Sequence, residues 1–168
     1  RARVNSCFAY ADHREVVGHW QAADSATVQQ ALANAVAAQP AWNRTPAASR
    51  AAILEHAADQ LEARIAEFMA LCVKEAGKSL PDSIAEVREA VDFLRYYAKQ
   101  AREQFGTAEK LPSPAGESNE LQRHGSGVFV CISPWNFPLA IFLGQVSAAL
   151  AAGNSVIAKP AEQTTLVG

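Results

Sequence analysis

No charged side chain occurs between Gly125 and Ala158, so this stretch must be removed from water almost completely. A membrane would do that, but Pro134, Asn136 and Pro138 interrupt the stretch early and Gly153-Asn154 interrupts it late. The apolar piece between them, Leu139 to Ala152, is shorter than the ~20 residues a spanning helix needs. It reads as protein core. Val128 to Ser133 forms an apolar strand, Leu139 to Ala152 a helix with Gly153 as its C-cap, and Ser155 to Lys159 a second strand. Strand, helix, strand with both strands apolar on both faces predicts a parallel pair with a right-handed crossover. One such unit leaves sheet edges open and apolar faces uncovered, so the rest of a doubly wound domain is expected beside it.

The first two-thirds has a different period. Residues 1–23 read as irregular, with a short strand over Glu15 to Trp20. Asp24 or Ser25 caps a helix whose buried face is Val28, Ala31, Leu32, Ala35 and Val36, and Pro40 is expected to end it. Thr45 as N-cap and Pro46 at the first position open a second helical stretch. Its apolar positions are Ile53, Leu54, Ala57, Leu61, Ile65, Phe68 and Leu71. That stretch is long, so a break near Glu62 to Arg64 is expected, with Gly77 closing it. A third helix follows Leu80-Pro81-Asp82 and runs towards Gly106, with Ile84, Val87, Val91 and Leu94 on one side. Lys110 to Ser118 is a loop, and Leu121 to His124 a strand. The expected division is a mainly helical part, 1–118, followed by the start of a parallel sheet, 119–168.

Composition excludes some functions. Hydrophobic residues at 49% and charged residues at 19% suit a globular chain rather than a disordered one. The net charge is −2, and the Lys and Arg residues are dispersed among acids, so nothing favours nucleic acid as a partner. Cys7, Cys72 and Cys131 share no metal or redox spacing, and read as small buried hydrophobes in a reducing, cytoplasmic setting. No metal site is expected. The start, Arg1 to Tyr10, lacks the apolar region of a signal peptide. Because the chain begins with Arg1 and stops just after Thr164-Thr165, which read as a helix start, both ends are expected to be cuts in a longer protein.

In an open parallel sheet, ligands bind beyond the carboxyl ends of the strands. Two segments occupy such ends, Pro134-Trp135-Asn136-Phe137-Pro138 and Lys159-Pro160-Ala161-Glu162, and parallel strands place both on one edge. The Gly-rich turn of the standard dinucleotide fold is missing, so any nucleotide is held another way. These segments, with Ala149-Leu150-Ala151-Ala152-Gly153-Asn154 between them and Gln163-Thr164 after them, resemble the aldehyde dehydrogenase superfamily. The helix from Glu86 to Tyr97 and Gly144-Gln145-Val146 narrow the resemblance. It is closest to the glutamate semialdehyde (pyrroline-5-carboxylate) dehydrogenase domain of bifunctional bacterial proline utilisation proteins. It runs from about Val16 onward and covers the first part of that domain. The fold implied is α/β: amphipathic helices, then the first strand-helix-strand unit of a Rossmann-like NAD-binding domain.

The resemblance implies roles for individual residues. In the family a cysteine thiolate attacks the aldehyde, and a backbone N–H and an Asn amide hold the oxyanion; Asn136 is at the matching position. An amide is a neutral donor and can face developing negative charge. The structural alternative makes Asn136 a turn or N-cap residue before a helix beginning at Pro138. Lys159 and Glu162 match the pair that grips the adenosine ribose of NAD, with Ala161 between them; a carboxylate there repels a 2′-phosphate. Against this, a lysine and a glutamate at a strand end are ordinarily a surface pair. Main-chain atoms of Ile132, Ser133, Pro134 and Trp135 match the nicotinamide side, though Trp135 suits the core equally. Phe137 matches the aldehyde channel, although an aromatic between prolines is commonly packing. Glu89 resembles a helix glutamate that meets the substrate's ammonium group, and reads equally well as part of a solvated face with Arg88 and Arg95.

The family's nucleophile and general base lie further downstream, so this segment alone is expected to be inactive and to bind NAD weakly. None of the three cysteines has the nucleophile's context. The parent implied is an NAD-dependent oxidoreductase making glutamate from its γ-semialdehyde, with a FAD-dependent proline dehydrogenase domain on the same chain. Homo-oligomerisation through a flap that includes Leu121 to His124, and peripheral contact with the inner membrane through other domains, also follow from the resemblance. Two alternatives stay open: the same fold acting on another aldehyde such as succinate semialdehyde, and a non-catalytic binding or assembly module.

Overall fold

The computed structural model describes residues 4–168. A parallel pair stands where the apolar block requires it: β5 (Val128–Ile132) and β6 (Ser155–Lys159), joined through α5 (Ala140–Ala151). Val128 lies opposite Ser155 and Ile132 opposite Lys159, so both strands end at the same edge. Only Cys131 of β5 is buried; Phe129, Val130 and Ile132 are exposed apolar residues on this two-stranded sheet. Uncovered apolar faces are what a single strand-helix-strand unit of a doubly wound sheet is expected to leave.

Among the described residues, four helices precede the pair. They are α1 (Ser25–Arg44), α2 (Ala47–Ala63), α3 (Ile65–Lys74) and α4 (Leu80–Phe105). The core lies where α2, α4 and α5 meet. Leu54 and Leu61 face Val87, Val91 and Leu94 across rows of alanines, among them Ala51, Ala58, Ala90, Ala98 and Ala140, all under 1% exposed. A methyl is the largest group that lets helix backbones approach so closely, which explains the alanine enrichment. Ile53 and Ile84 stand outside this core, at 53% and 40% exposed.

Several helix ends depart from their sequence signals. Pro40 does not end α1, which continues one turn to Arg44. An internal proline costs ~3 kcal/mol, and anchors on both sides of it hold the helix. Ser155 Oγ donates to Ala35 O at 2.7 Å, and Trp42 Nε1 donates to Leu150 O at 3.0 Å. That contact line, Ala31, Ala35, Gln39 and Trp42, lies beside the expected stripe, so Val28, Leu32 and Val36 remain 50%, 41% and 56% exposed. Thr45 closes α1 instead of opening α2: its N–H donates to Ala41 O and Trp42 O. Pro46 takes the N-cap place of α2 without a side-chain hydrogen bond. The break near Glu62 to Arg64 occurs at Arg64, between α2 and α3. Ser79 caps α4, accepting from Asp82 N at 3.2 Å.

Two antiparallel hairpin pairs complete the chain. β1 (Val4–Phe8), in a region read as irregular, pairs with β2 (Val16–Gln21). The polar Asn5 and Ser6 hid its alternation. β3 (Glu109–Leu111) takes the first residues of the expected loop and pairs with β4 (Asn119–Leu121), so the strand expected over Leu121 to His124 lies earlier. No helix among the described residues is long and apolar enough to cross a membrane.

Candidate active site

The parallel register brings the two strand-end segments side by side. Ser133 N donates to Lys159 O at 3.1 Å, tying the exit of β5 to the last residue of β6. Beyond this point the chain from Pro134 to Pro138 crosses the strand ends before entering α5. Trp135, at 56%, and Phe137, at 40%, are exposed rather than core. Ile132 is exposed, while the Ser133 hydroxyl is buried without a hydrogen-bond partner.

Asn136 is exposed, and its amide makes no side-chain hydrogen bond among the described residues. It does not cap α5. Leu139 holds the N-cap place with no side-chain oxygen to offer, and a residue of another helix does the capping. Glu86 Oε1 accepts from Leu139 N at 3.0 Å and from Ala140 N at 2.9 Å. The other oxygen, Oε2, lies 2.8 Å from Lys78 Nζ in an ion contact that lacks hydrogen-bond alignment. The same ammonium stands 4.7 Å from the centroid of the Phe137 ring, within cation–π range. Sequence reasoning missed Glu86 and Lys78. The available signal was register: Glu86 falls in the buried row of α4 with Ser83, Ala90 and Leu94, where a charge requires a partner.

A second buried carboxylate holds the other segment. Glu75 accepts from Leu166 N at 2.9 Å and Val167 N at 2.8 Å, and Cys7 Sγ donates to it at 3.2 Å. Burial, then the bond to Glu75, pushes the Cys7 thiol up to about 12. Burial also pushes Cys72 up to about 11, helped by the charge of Glu86, and raises Cys131. All three are free thiols, and each is pushed away from the thiolate form that attacks an electrophile.

Past β6, Ala161 is buried and Glu162 begins a short 3-10 turn, Glu162–Thr164. Among the described residues, Lys159 Nζ donates only to Pro160 O, at 3.3 Å, and forms no ion pair with Glu162, so both charged heads are available. They border a groove of about 380 Å³ whose apolar wall includes Trp20, Val28 and Pro160. An apolar slot with one cationic donor and one carboxylate acceptor on its rim has the chemistry to hold a flat ring and its neighbouring diol. Glu89 is exposed on α4, one turn beyond Glu86 and one turn before Phe93, whose ring would meet a side chain added at Gly144. That row faces α5. Arg95, of the charged face read as solvated, forms surface ion pairs with Asp59 and Glu62.

The family model described as the aldehyde dehydrogenase family matches residues 5–168. The chain is 53% identical over 157 residues to the bifunctional protein PutA of Klebsiella aerogenes, covering 94% of this chain and 11% of that protein. It is 40% identical over 157 residues to 1-pyrroline-5-carboxylate dehydrogenase 2 of Bacillus subtilis, covering 94% of this chain and 30% of that one. The crystal structure of 1-pyrroline-5-carboxylate dehydrogenase from Thermus with bound NAD superimposes with a TM-score of 0.92 at 38% identity, over 99% of this chain and 32% of the other. The chain thus spans about a tenth of the PutA relative and about a third of the single-function ones. With a family match over nearly its whole length, the chain belongs to the aldehyde dehydrogenase family.

Proposed function

We propose that this chain is the part of an NAD-dependent dehydrogenase that grips the cofactor's adenosine half and stabilises the oxyanion. The parent enzyme oxidises L-glutamate γ-semialdehyde to L-glutamate in proline catabolism. One observation carries the reading: Asn136 is exposed and unbonded at the shared strand-end edge, its capping duty taken over by Glu86.

The Lys159 ammonium donates to the ribose hydroxyls, the Glu162 carboxylate accepts from them, and the groove beside Trp20 and Val28 takes the adenine ring. Backbone atoms of Ile132, Ser133, Pro134 and Trp135, with Ala161, line the cofactor's path along the edge. NAD, when bound, supplies the hydride acceptor. Asn136 donates an amide N–H to the aldehyde oxygen as it gains negative charge. The Phe137 ring walls the aldehyde channel, and Glu89 meets the substrate's ammonium group. The attacking thiolate and the general base belong to other residues of the parent domain; the three cysteines here, all held as thiols, do not supply it. A proline dehydrogenase domain with FAD on the same polypeptide, a homo-oligomeric assembly and a cytoplasmic location complete the proposal. The free thiols and the bifunctional relatives support it.

The test is turnover by the full-length protein. NADH should form from glutamate semialdehyde with a kcat/KM at least ~10-fold above that for succinate semialdehyde, because a site built for an ammonium rejects an analogue lacking it. The reverse order would move the substrate assignment, and the absence of NADH with any aldehyde would end it.

A further inference from the structure

Five residues cross the strand ends between Ser133 and Leu139, and both sides of that crossing are fastened. Ser133 N is held by Lys159 O, Pro138 is fully buried, and the first two N–H groups of α5 are held by Glu86. Within the crossing, the Phe137 ring rests against Lys78, the counter-charge of Glu86. Asn136, between these anchors, is exposed and its amide makes no side-chain hydrogen bond among the described residues.

A helix start is normally capped by its own N-cap side chain. Serine at 139 would do this locally and would need no buried charge. Here the cap comes instead from α4, 53 residues earlier in the chain, as a carboxylate with no exposed side-chain surface. Such a group is stable only because two amides, the positive end of α5 and an ammonium surround it. This arrangement makes the position of the crossing depend on α4. Glu89 lies one turn further along the same row of that helix.

We propose that Glu86 is a positioning residue for the reaction: with Lys78 it clamps the entry of α5 to α4 and so sets where the Asn136 amide stands relative to Glu89. The inference rests on the oxyanion role given to Asn136 above. It adds that the donor and the substrate-side carboxylate are referenced to one helix.

The test uses the full-length protein with Glu86→Gln, which keeps the side chain's size and one acceptor oxygen but removes the charge facing Lys78. The substitution is made alone and with Asn136→Ala. Glu86→Gln should lower kcat by ~10-fold or more, as expected when a reacting group is misplaced by a fraction of an ångström. The NAD Kd should change by less than about twofold, because Lys159 and Glu162 are held separately. In the Asn136→Ala background the same substitution should lower kcat by less than about twofold, since the group it positions is already gone. Amide exchange in the peptide 133–143 should accelerate by ~10-fold or more as the clamp weakens. Equal kcat losses in both backgrounds would show that Glu86 merely supports the fold, and unchanged exchange would show that it does not hold the crossing; either result overturns the proposal. If the unsubstituted protein turned over no aldehyde, the activity reading would fall separately, and exchange would decide the clamp.

Discussion

Cys72 sits under α4 with Glu86 and Glu75 nearby, and its neighbourhood decides its chemistry more than its residue type does. Its folded pKa, about 11, lies above the ordinary value of 9.0, so between these values the folded state holds a proton that the unfolded state has lost. The stabilisation is complete below pH 9.0 and disappears as pH rises towards about 11. Chemical denaturation at a series of pH values should therefore show stability falling over that window, and Cys72→Ser should flatten the fall. At pH 8, iodoacetamide should leave Cys72 unmodified in native protein while modifying it fully in denaturant; mass spectrometry of the peptides reads this directly. At the same scale, Glu162→Gln removes the only carboxylate on the groove's rim. It should raise the NADP to NAD ratio of kcat/KM by about tenfold, by removing a like-charge clash with a 2′-phosphate. An unchanged ratio would detach Glu162 from the ribose.

Elements in this chain are joined by polar side chains reaching across from elsewhere. Arg50, buried on α2, donates through Nε to Ala151 O at 3.1 Å, and through Nη1 to Asn43 O at 3.4 Å and to Thr45 O. It thereby closes the ends of α5 and α1 together. Asn43 Oδ1 accepts from Gly125 N at 2.8 Å, and Asn154 Oδ1 accepts from Ser126 N at 2.6 Å and Gly127 N at 3.0 Å, which seats the turn into β5. Gly153 ends α5 at φ +90°, and an added Cβ would stand 2.6 Å from Asn43 Oδ1. Gly153→Ala should thus destabilise the protein by about 1–3 kcal/mol from backbone strain, plus the displacement of Asn43. A shift below about 0.5 kcal/mol in a denaturant titration would contradict that contact. These long-range caps also explain what the sequence could not reveal. Gly153 marks its helix end through its own chemistry and was legible, whereas the Ser79 cap, which starts α4 at Leu80, was missed. Pro40 and Thr45 carry equally strong local signals, yet the bonds of Trp42 and Ser155 across to other elements overrode them.

Across the whole molecule, the parallel pair and its shared edge were readable because periodicity and the absence of charge constrain a buried strand-helix-strand unit tightly. Ser155 to Lys159 matches its strand residue for residue. The roles proposed for Asn136, Lys159 and Glu162 come from the resemblance; the fold contributes a shared edge, with Ser133 tied to Lys159. Glu86, Lys78 and Glu75 were not legible, because a buried carboxylate 53 residues from the amides it holds leaves no local pattern beyond a charge in an apolar row. The exposed Phe129, Val130 and Ile132 were legible as the pair itself was: one unit of a doubly wound sheet leaves apolar faces that nothing in the described chain covers.

The central claim is that the edge built by β5 and β6 works as a cofactor and oxyanion site, with Asn136 facing the reacting oxygen. Steady-state kinetics of full-length Asn136→Ala with NAD and glutamate semialdehyde tests it most directly. The account predicts a fall in kcat of ~10²–10³ with NAD affinity unchanged, the loss expected for one oxyanion donor. A variant that kept its kcat, or lost activity only through weaker NAD binding, would return Asn136 to the turn and contradict the assignment of this edge.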